Sequence, residues 1–347
     1  FILLTGIIIT THPVCAEGQP AKFLTEYDYY TTEDSASILA YLPPAKSPGS
    51  YFLSIDYMGD TLVSEFLKDG LHTYTIPIDD WSEGLHRMHV FLVDPDRDTL
   101  SNGLVLTKRA HKYNAVKINR RTGSLLVDGL PFYPFGFYCY SPVQPELPGE
   151  EVVRGFNMMS PYQKIEGKTL NERKKYMDRC ARLGMKVHYN LLSVSGGGGV
   201  GSGRLTGLED GERRQRLIDE IHTFKDHPAL LAWYISDEPV GQKVPPEPLI
   251  EMYHLIKELD PYHPVSIVFM TPGRAREYEQ AMDIVMADPY PIPTGSVSVV
   301  GRVAESLARE FYLEKPVWIV PQAFGGNEWW QREPSAGEMR VMTYLAL

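Results

Sequence analysis

The stretch His227-Pro228-Ala229-Leu230-Leu231-Ala232-Trp233-Tyr234-Ile235-Ser236-Asp237-Glu238-Pro239 constrains the fold of this chain more than any other. Its uncharged core is too short for an ordinary helix and rich in aromatic residues. It reads as a strand buried on both faces, the habit of parallel sheets. The run follows a helix-like segment and stops at Asp-Glu-Pro, where Pro239 can donate no further ladder bond. In a barrel such a strand delivers its last residues to the C-terminal mouth, where barrel enzymes keep their chemistry. Asp237 and Glu238 are therefore candidate catalytic carboxylates. The same tripeptide also fits an ordinary turn, and alone it does not decide between the two.

The remaining pattern supports a two-part chain. From Lys22 to about Ala110, short alternating runs such as Tyr51-Phe52-Leu53-Ser54-Ile55-Asp56-Tyr57 are separated by turn clusters, which predicts an immunoglobulin-like β-sandwich over 22–110. Two strands around Arg121-Thr122-Gly123 and Asp128-Gly129 turns form a junction. From residue 116 onward, short apolar strands alternate with amphipathic helices, the signature of βα repeats.

Strands are predicted near 133–138, 155–159, 185–192, 230–236, 265–270, 284–287 and 317–320, and helices near 170–183, 211–224, 248–259, 274–281, 299–310 and 335–346. Seven strands fall one short of a (β/α)8 TIM barrel. The reading is a barrel over 116–347 that lacks its eighth strand through C-terminal truncation, with a seven-stranded doubly wound sheet as the alternative.

Composition narrows the partners. The chain has 347 residues, 43% hydrophobic and 22% charged, and a formal net charge of -10 with no basic cluster, which argues against nucleic acid. Residues 1–16 read as a signal peptide cleaved after Val14-Cys15-Ala16, giving a secreted or extracellular protein, a lysosomal one included, with no membrane span in the mature chain. Of three cysteines, Cys139 and Cys180 would remain, read as buried thiols; no spacing suggests a metal site, and no cofactor is implied. Ser195-Gly196-Gly197-Gly198-Gly199-Val200-Gly201-Ser202-Gly203 contains Gly-x-Gly-x-x-Gly without a P-loop lysine, and reads as a flexible loop over the mouth. Oligomeric state is not legible.

The run Val116-Lys117-Ile118-Asn119-Arg120-Arg121-Thr122-Gly123-Ser124-Leu125-Leu126-Val127-Asp128-Gly129-Leu130-Pro131-Phe132-Tyr133-Pro134-Phe135-Gly136-Phe137-Tyr138 after a β-sandwich, with Gly155-Phe156-Asn157 on the second strand and Trp233 through Glu238-Pro239 on the fourth, resembles family-two β-galactosidases and β-glucuronidases, within a clan of TIM-barrel glycosidases. The resemblance implies a carbohydrate substrate and Glu238 as general acid/base. It also implies an Asn where Asp237 stands and a glutamate nucleophile ending strand seven. Gln322 offers itself there instead, and an amide cannot form a glycosyl-enzyme ester.

Acetal hydrolysis needs a second carboxylate. Asp288, in Ala287-Asp288-Pro289-Tyr290-Pro291, ends strand six as Glu238 ends strand four, though Asp before Pro is also a common turn. Its carboxyl is expected about 5 Å from Glu238 for a nucleophile, or about 6.5 to 9.5 Å for an inverting base. Ionised Asp237 would keep Glu238 protonated. Tyr138, Tyr162, Tyr290, Trp329 and Trp330 fall near strand ends and suit sugar faces, while His188, Asn190, Gln322 and loop residue Glu328 are candidate polar contacts. Each aromatic equally fits core packing. A glycosidase, a catalytically silent glycan binder and a non-glycosidic barrel enzyme remain distinct readings.

Overall fold

The computed structural model describes residues 19–197, 209–326 and 329–347. They fall into two compact units, 19–113 with 117–123, and 114–116 with 124–347. Residues 1–16, read as a leader, lie outside the described residues, as does Glu328.

The first unit is built from β1 (Lys22–Thr25), β2 (Ser35–Leu42), β3 (Tyr51–Tyr57), β4 (Asp60–Leu67), β5 (Gly70–Pro77), β6 (Gly84–Val93) and β7 (Thr99–Lys108). They form two antiparallel sheets, β1-β2-β5 and β4-β3-β6-β7. Alternate side chains of both enter one core: Ile38, Ala40 and Leu42 from β2, Leu53 and Ile55 from β3, Met88, Val90 and Leu92 from β6. That is the period of two expected of half-buried strands.

A short strand β8 (Val116–Asn119) leads to a hairpin of β9 (Ser124–Val127) and β10 (Leu130–Phe132). The second unit then runs β11 (Gly136–Tyr140), α1 (Leu147–Val152), β12 (Met158–Tyr162), α2 (Leu170–Leu183), β13 (Lys186–Asn190), α3 (Leu192–Ser195), α4 (Asp210–Phe224), β14 (Leu230–Asp237), α5 (Pro246–Leu259), β15 (Val265–Phe269), β16 (Ile284–Ala287), α6 (Ser298–Glu310), β17 (Val317–Ile319) and α7 (Ala336–Ala346). The seven strands β11 to β17 pair in chain order, every pair parallel. A doubly wound sheet reverses its order at a switch point. Here nothing reverses, so the sheet is part of a TIM-like barrel and the doubly wound alternative falls.

Two strands begin three residues later than predicted, and the cause is local. Pro134 has no N–H to offer, and the Asn157 side chain takes the place of a ladder, accepting from Phe135 N at 2.8 Å and donating to Tyr133 O at 2.7 Å. The segment 274–281, predicted as an α-helix, lies in a 3-10 helix (Pro272–Ala281). Its buried residues Ala275, Tyr278 and Ala281 recur every third position, which only a three-residue turn keeps on one face. Cys139 and Cys180 are buried unpaired thiols, as their number suggested.

α2 buries Arg173, Tyr176, Met177 and Cys180, one helical stripe, and closes on Gly184 at φ 71°. The charge within that stripe is matched. Arg173 donates from Nε to Glu220 Oε1 at 2.6 Å and from Nη2 to Oε2 at 2.8 Å, with both side chains under 5% exposed. Tyr189 of β13 donates to the same carboxylate, so α2, α4 and the sheet share one fork. Breaking a buried pair strands a charge, at a cost of about 3 to 5 kcal/mol. Glu220→Ala should lower the urea-unfolding free energy by that order; a loss under about 1 kcal/mol would show that water reaches Arg173.

Candidate active site

The fourth barrel strand sets the site. β14 pairs with β15 as Tyr234↔Ser266 and then Ser236↔Ile267, so Ile235 is an extra residue in the ladder. Such a bulge re-aims the side chains beyond it. It brings Tyr234 and Asp237 to the same side, where Tyr234 Oη donates to Asp237 Oδ1 at 2.7 Å and Tyr162 Oη to Oδ2 at 3.3 Å. Glu238, the next residue, turns out of the strand at φ 52°, held by its N–H to Val268 O at 2.9 Å. Asp237 is buried and Glu238 half-buried. One carboxylate is walled in by tyrosines while the other reaches the mouth.

Asp288 follows β16 and is only 5% exposed. Burial, first, and then the charges of Glu238 and Asp237 hold its pKa far above the carboxylate range. Its Oδ1 has no donor among the described residues. Burial and the Glu238 charge raise Asp237 to about 7 against the donations of Tyr234 and Tyr162. The charge of Asp237 acts on Asp288.

Tyr138, Tyr162, Tyr234 and Tyr290 are all held well above their ordinary pKa, by burial first and by these carboxylates next. They remain neutral donors. Tyr138 packs 5.0 Å from Tyr162 and 6.0 Å from Tyr234 between ring centroids. Tyr290, Phe324 and Trp330 make a second cluster of edge-to-face contacts at 5.0 to 5.7 Å, with Trp330 Nε1 donating to Tyr290 O at 3.4 Å. Trp329 is 75% exposed.

Several expected contacts belong to the frame instead. His188 is fully buried, its Nδ1 3.0 Å from Ser160 Oγ and its Nε2 2.6 Å from Ser266 Oγ, and burial pushes its pKa down to about 3. Both nitrogens are occupied, so a sugar hydroxyl finds no free one. Gln322 is likewise spent on backbone: Oε1 accepts from Ile292 N at 2.8 Å, and Nε2 donates to Ile292 O and Phe324 O, each at 3.0 Å. Asn190 caps Leu192 N through Oδ1 at 3.0 Å but leaves Nδ2 buried without an acceptor among the described residues. Tyr234 is the residue that sequence reasoning missed, because an aromatic inside an apolar run gives no sign of the bulge that turns it towards Asp237.

The loop after β13 is described only as far as Gly197. A Cβ at Gly197 would stand 2.1 Å from Ile235 O, and Ser236 Oγ donates to Gly197 O at 2.9 Å, so glycine lets this loop lie against the bulge. Among the described residues no group of three His, Cys, Asp or Glu side chains could hold a metal ion, and no helix is long and apolar enough to cross a membrane.

No protein-family model and no curated protein matches this chain. Solved structures do: a β-glucuronidase of an uncultured Clostridium sp. (TM-score 0.49, 14% identity, 94% of this chain and 59% of that one) and one of Dictyoglomus thermophilum (TM-score 0.46, 14% identity, 94% and 59%). A GH2 β-galacturonidase of Eisenbergiella tayi follows at a TM-score of 0.43 and 15% identity, over 86% of this chain and 56% of that one. The chain spans less than two thirds of the length of these structures. At such identities the likeness is one of fold, not of residues.

Two substitutions check the site. Asp237 titrates near 3.8 when unfolded and about 7 when folded, so its contribution is fully present below pH 4 and is lost as pH rises through 7. Asp237→Asn should remove that slope, narrowing the stability gap between pH 4 and pH 8 by roughly 4 kcal/mol; an unchanged gap refutes the assignment. Gln322→Glu turns two donated bonds into carboxylate facing carbonyl, and should cost about 2 to 4 kcal/mol in thermal or urea unfolding. A neutral outcome would mean the clamp is not made in solution.

Proposed function

We propose that this protein is a glycoside hydrolase in which Glu238 exchanges a proton with the glycosidic oxygen and Asp288 is its partner. What supports the reading is that β14 and β16 end on the same side of one parallel sheet, where buried Asp288, held neutral by burial and by the charge of Glu238, and half-buried Glu238 leave their strands among tyrosines. Burial and the neighbouring charges keep a proton on Asp288 at neutral pH, which passes to Glu238. Glu238, on the accessible side, delivers it to the leaving oxygen as the acetal bond breaks. The anionic pair then accepts a proton from the water that attacks the anomeric carbon, and the proton is restored. No ester to the protein forms. Gln322, clamped on backbone, is not asked to attack.

The two-sheet unit, which we read as immunoglobulin-like, carries none of these groups. Export from the cytosol belongs to the same proposal and follows from the apolar start of the chain. A second reading, a glycan binder without turnover, is favoured by the amide at Gln322.

An aryl-glycoside panel separates the two. The wild type should cleave at least one member, and Glu238→Gln should lower kcat/KM by about 10²- to 10⁴-fold, the worth of a general acid. Cleavage that survives in Glu238→Gln would remove the assignment, and glycan binding with no cleavage of any member by the wild type would establish the silent binder.

A further inference from the structure

A cavity of about 640 Å³ lies between residues 142–148, which carry the chain from β11 into α1, and the exposed side of α2. Ligand sites occupy roughly 300 to 1,000 Å³. Asp237, Glu238 and Asp288 do not line it. Pro142, Val143, Pro145 and Pro148 give it an apolar wall, and Tyr176 has already donated its proton to Gln163 Oε1 at 2.6 Å. Facing that wall, α2 contributes Lys175, Arg179 and Arg182, whose spacings of four and three residues bring them onto one stripe of the helix. All three are exposed, and among the described residues none makes an ion pair or a hydrogen bond. Other surface arginines of this unit do pair along their helices, Arg213 with Asp210, Arg216 with Glu212 and Arg309 with Glu305. Acids stand within the same reach on α2, yet Glu172 and Asp178 close on none of the three, and Asp178 lies 3.2 Å from His227 Nε2 instead. An exposed pair is worth under about 1 kcal/mol, so a missing one alone decides nothing. What decides is that all three cations line one cavity. Arg179 also reaches across to α1, its Nη2 3.1 Å from where a Cβ at Gly149 would stand.

We propose that this cavity binds a chain of an anionic polysaccharide, at a site separate from the mouth. The inference goes beyond the hydrolase reading, since it needs no turnover. A pyranose ring has an apolar face to lay on proline rings, and a carboxylate or sulfate on its edge meets a guanidinium fork with two parallel hydrogen bonds. From Lys175 to Arg182 the row runs about 10 Å along the helix, which suits a repeating anion better than a single one. Glu172, in the first turn of α2, puts a negative charge at one end, so the anionic groups belong towards Arg179 and Arg182. An acidic peptide fits less well. Pro142, Pro145 and Pro148 have no N–H, so their wall cannot answer the carbonyls of an extended backbone. A nucleic acid would carry its phosphates beyond the cavity over a chain whose formal net charge is -10.

The test is equilibrium binding of short oligosaccharides to the whole chain: an oligogalacturonate for the carboxylate, a dextran sulfate for the sulfate, and neutral dextran as the uncharged control. At least one charged probe should bind and neutral dextran should not, and the tighter of the two names the anionic group. Arg179→Glu should weaken that probe by about tenfold or more, the worth of a hydrogen bond to a charged group. Lys174→Glu, an exposed change on the same helix outside the cavity, should leave it unchanged. Undiminished binding by Arg179→Glu, or an equal loss in Lys174→Glu, overturns the inference, the second because it would mean attraction by diffuse charge. So does binding of neither charged probe, equal binding of neutral dextran, or tighter binding of polyglutamate or of a DNA oligonucleotide. Both substituted side chains are exposed, and an unchanged urea midpoint shows that the variants fold; the ranking of probes on the wild type holds without them. Aryl-glycoside cleavage is scored separately, so the failure of either reading leaves the other standing.

Discussion

A parallel strand covered on both faces can carry polar groups only where its ladder ends or where partners have been built around them, and β14 does both. All eight of its residues, Leu230 to Asp237, are buried. Trp233 faces the helices and donates its indole N–H to Asp260 Oδ2 at 2.8 Å. Tyr234 faces inward over His188, 4.8 Å between ring centroids. The inward layer is then obliged to be matched, and His188 between Ser160 and Ser266 matches it across β12, β13 and β15. Above that layer the ladder stops, the bulge at Ile235 turns Asp237 onto the tyrosines, and Glu238 is released to the mouth.

The architecture was legible because its signals are local. Alternation along β3 and β6, and apolar runs separated by amphipathic helices, are periods of two and of 3.6 that survive without tertiary information. That Asp237, Glu238 and Asp288 stand at or just past strand ends was legible for a related reason, since a charge that ends an apolar strand has few places to go. What stayed hidden depends on which way a side chain faces. His188 and Gln322 have the chemistry of sugar ligands, yet each has already spent its polar atoms on the frame, and no pattern in the chain distinguishes a free amide from a clamped one. The depth at which Asp288 is buried was hidden as well. Strands two positions apart in the sheet bring their ends to one mouth, but the separation of two carboxyl groups there depends on rotamers, on the bulge and on the left-handed turn at Glu238.

The same cluster that suits proton transfer works against the fold. Burial lifts Asp237 and Asp288 out of the ordinary carboxylate range, which is a preference for neutrality in the folded state and an electrostatic cost wherever solvent pH demands charge. Elsewhere in this unit charge is handled differently. Arg173 and Glu220 neutralise each other in a two-bond fork, and Asp283, just before β16, is held below its usual pKa by Lys257 and Lys315 despite its burial. A chain able to pair its buried acids in those places leaves Asp237 and Asp288 without a cation among the described residues. Perturbed carboxyls of that kind concentrate at functional sites, because the perturbation is what makes a carboxyl useful near neutral pH.

Gln322 limits which chemistry those carboxyls can perform. The clamp on Ile292 and Phe324 uses an acceptor and two donations on one side chain, and only an amide presents both at that length. A glutamate there would keep the acceptor and lose the donors, so the position that closes the loop after β16 cannot also supply a nucleophile without reopening that loop. The loop begins at Asp288 and carries Tyr290, so reopening it would disturb the placement of Asp288 itself. Clamp and covalent nucleophile are therefore alternatives at this position. With the clamp made, the polar atoms of Gln322 stay on that loop, and the carboxyls at this end of the sheet are Asp237, Glu238 and Asp288.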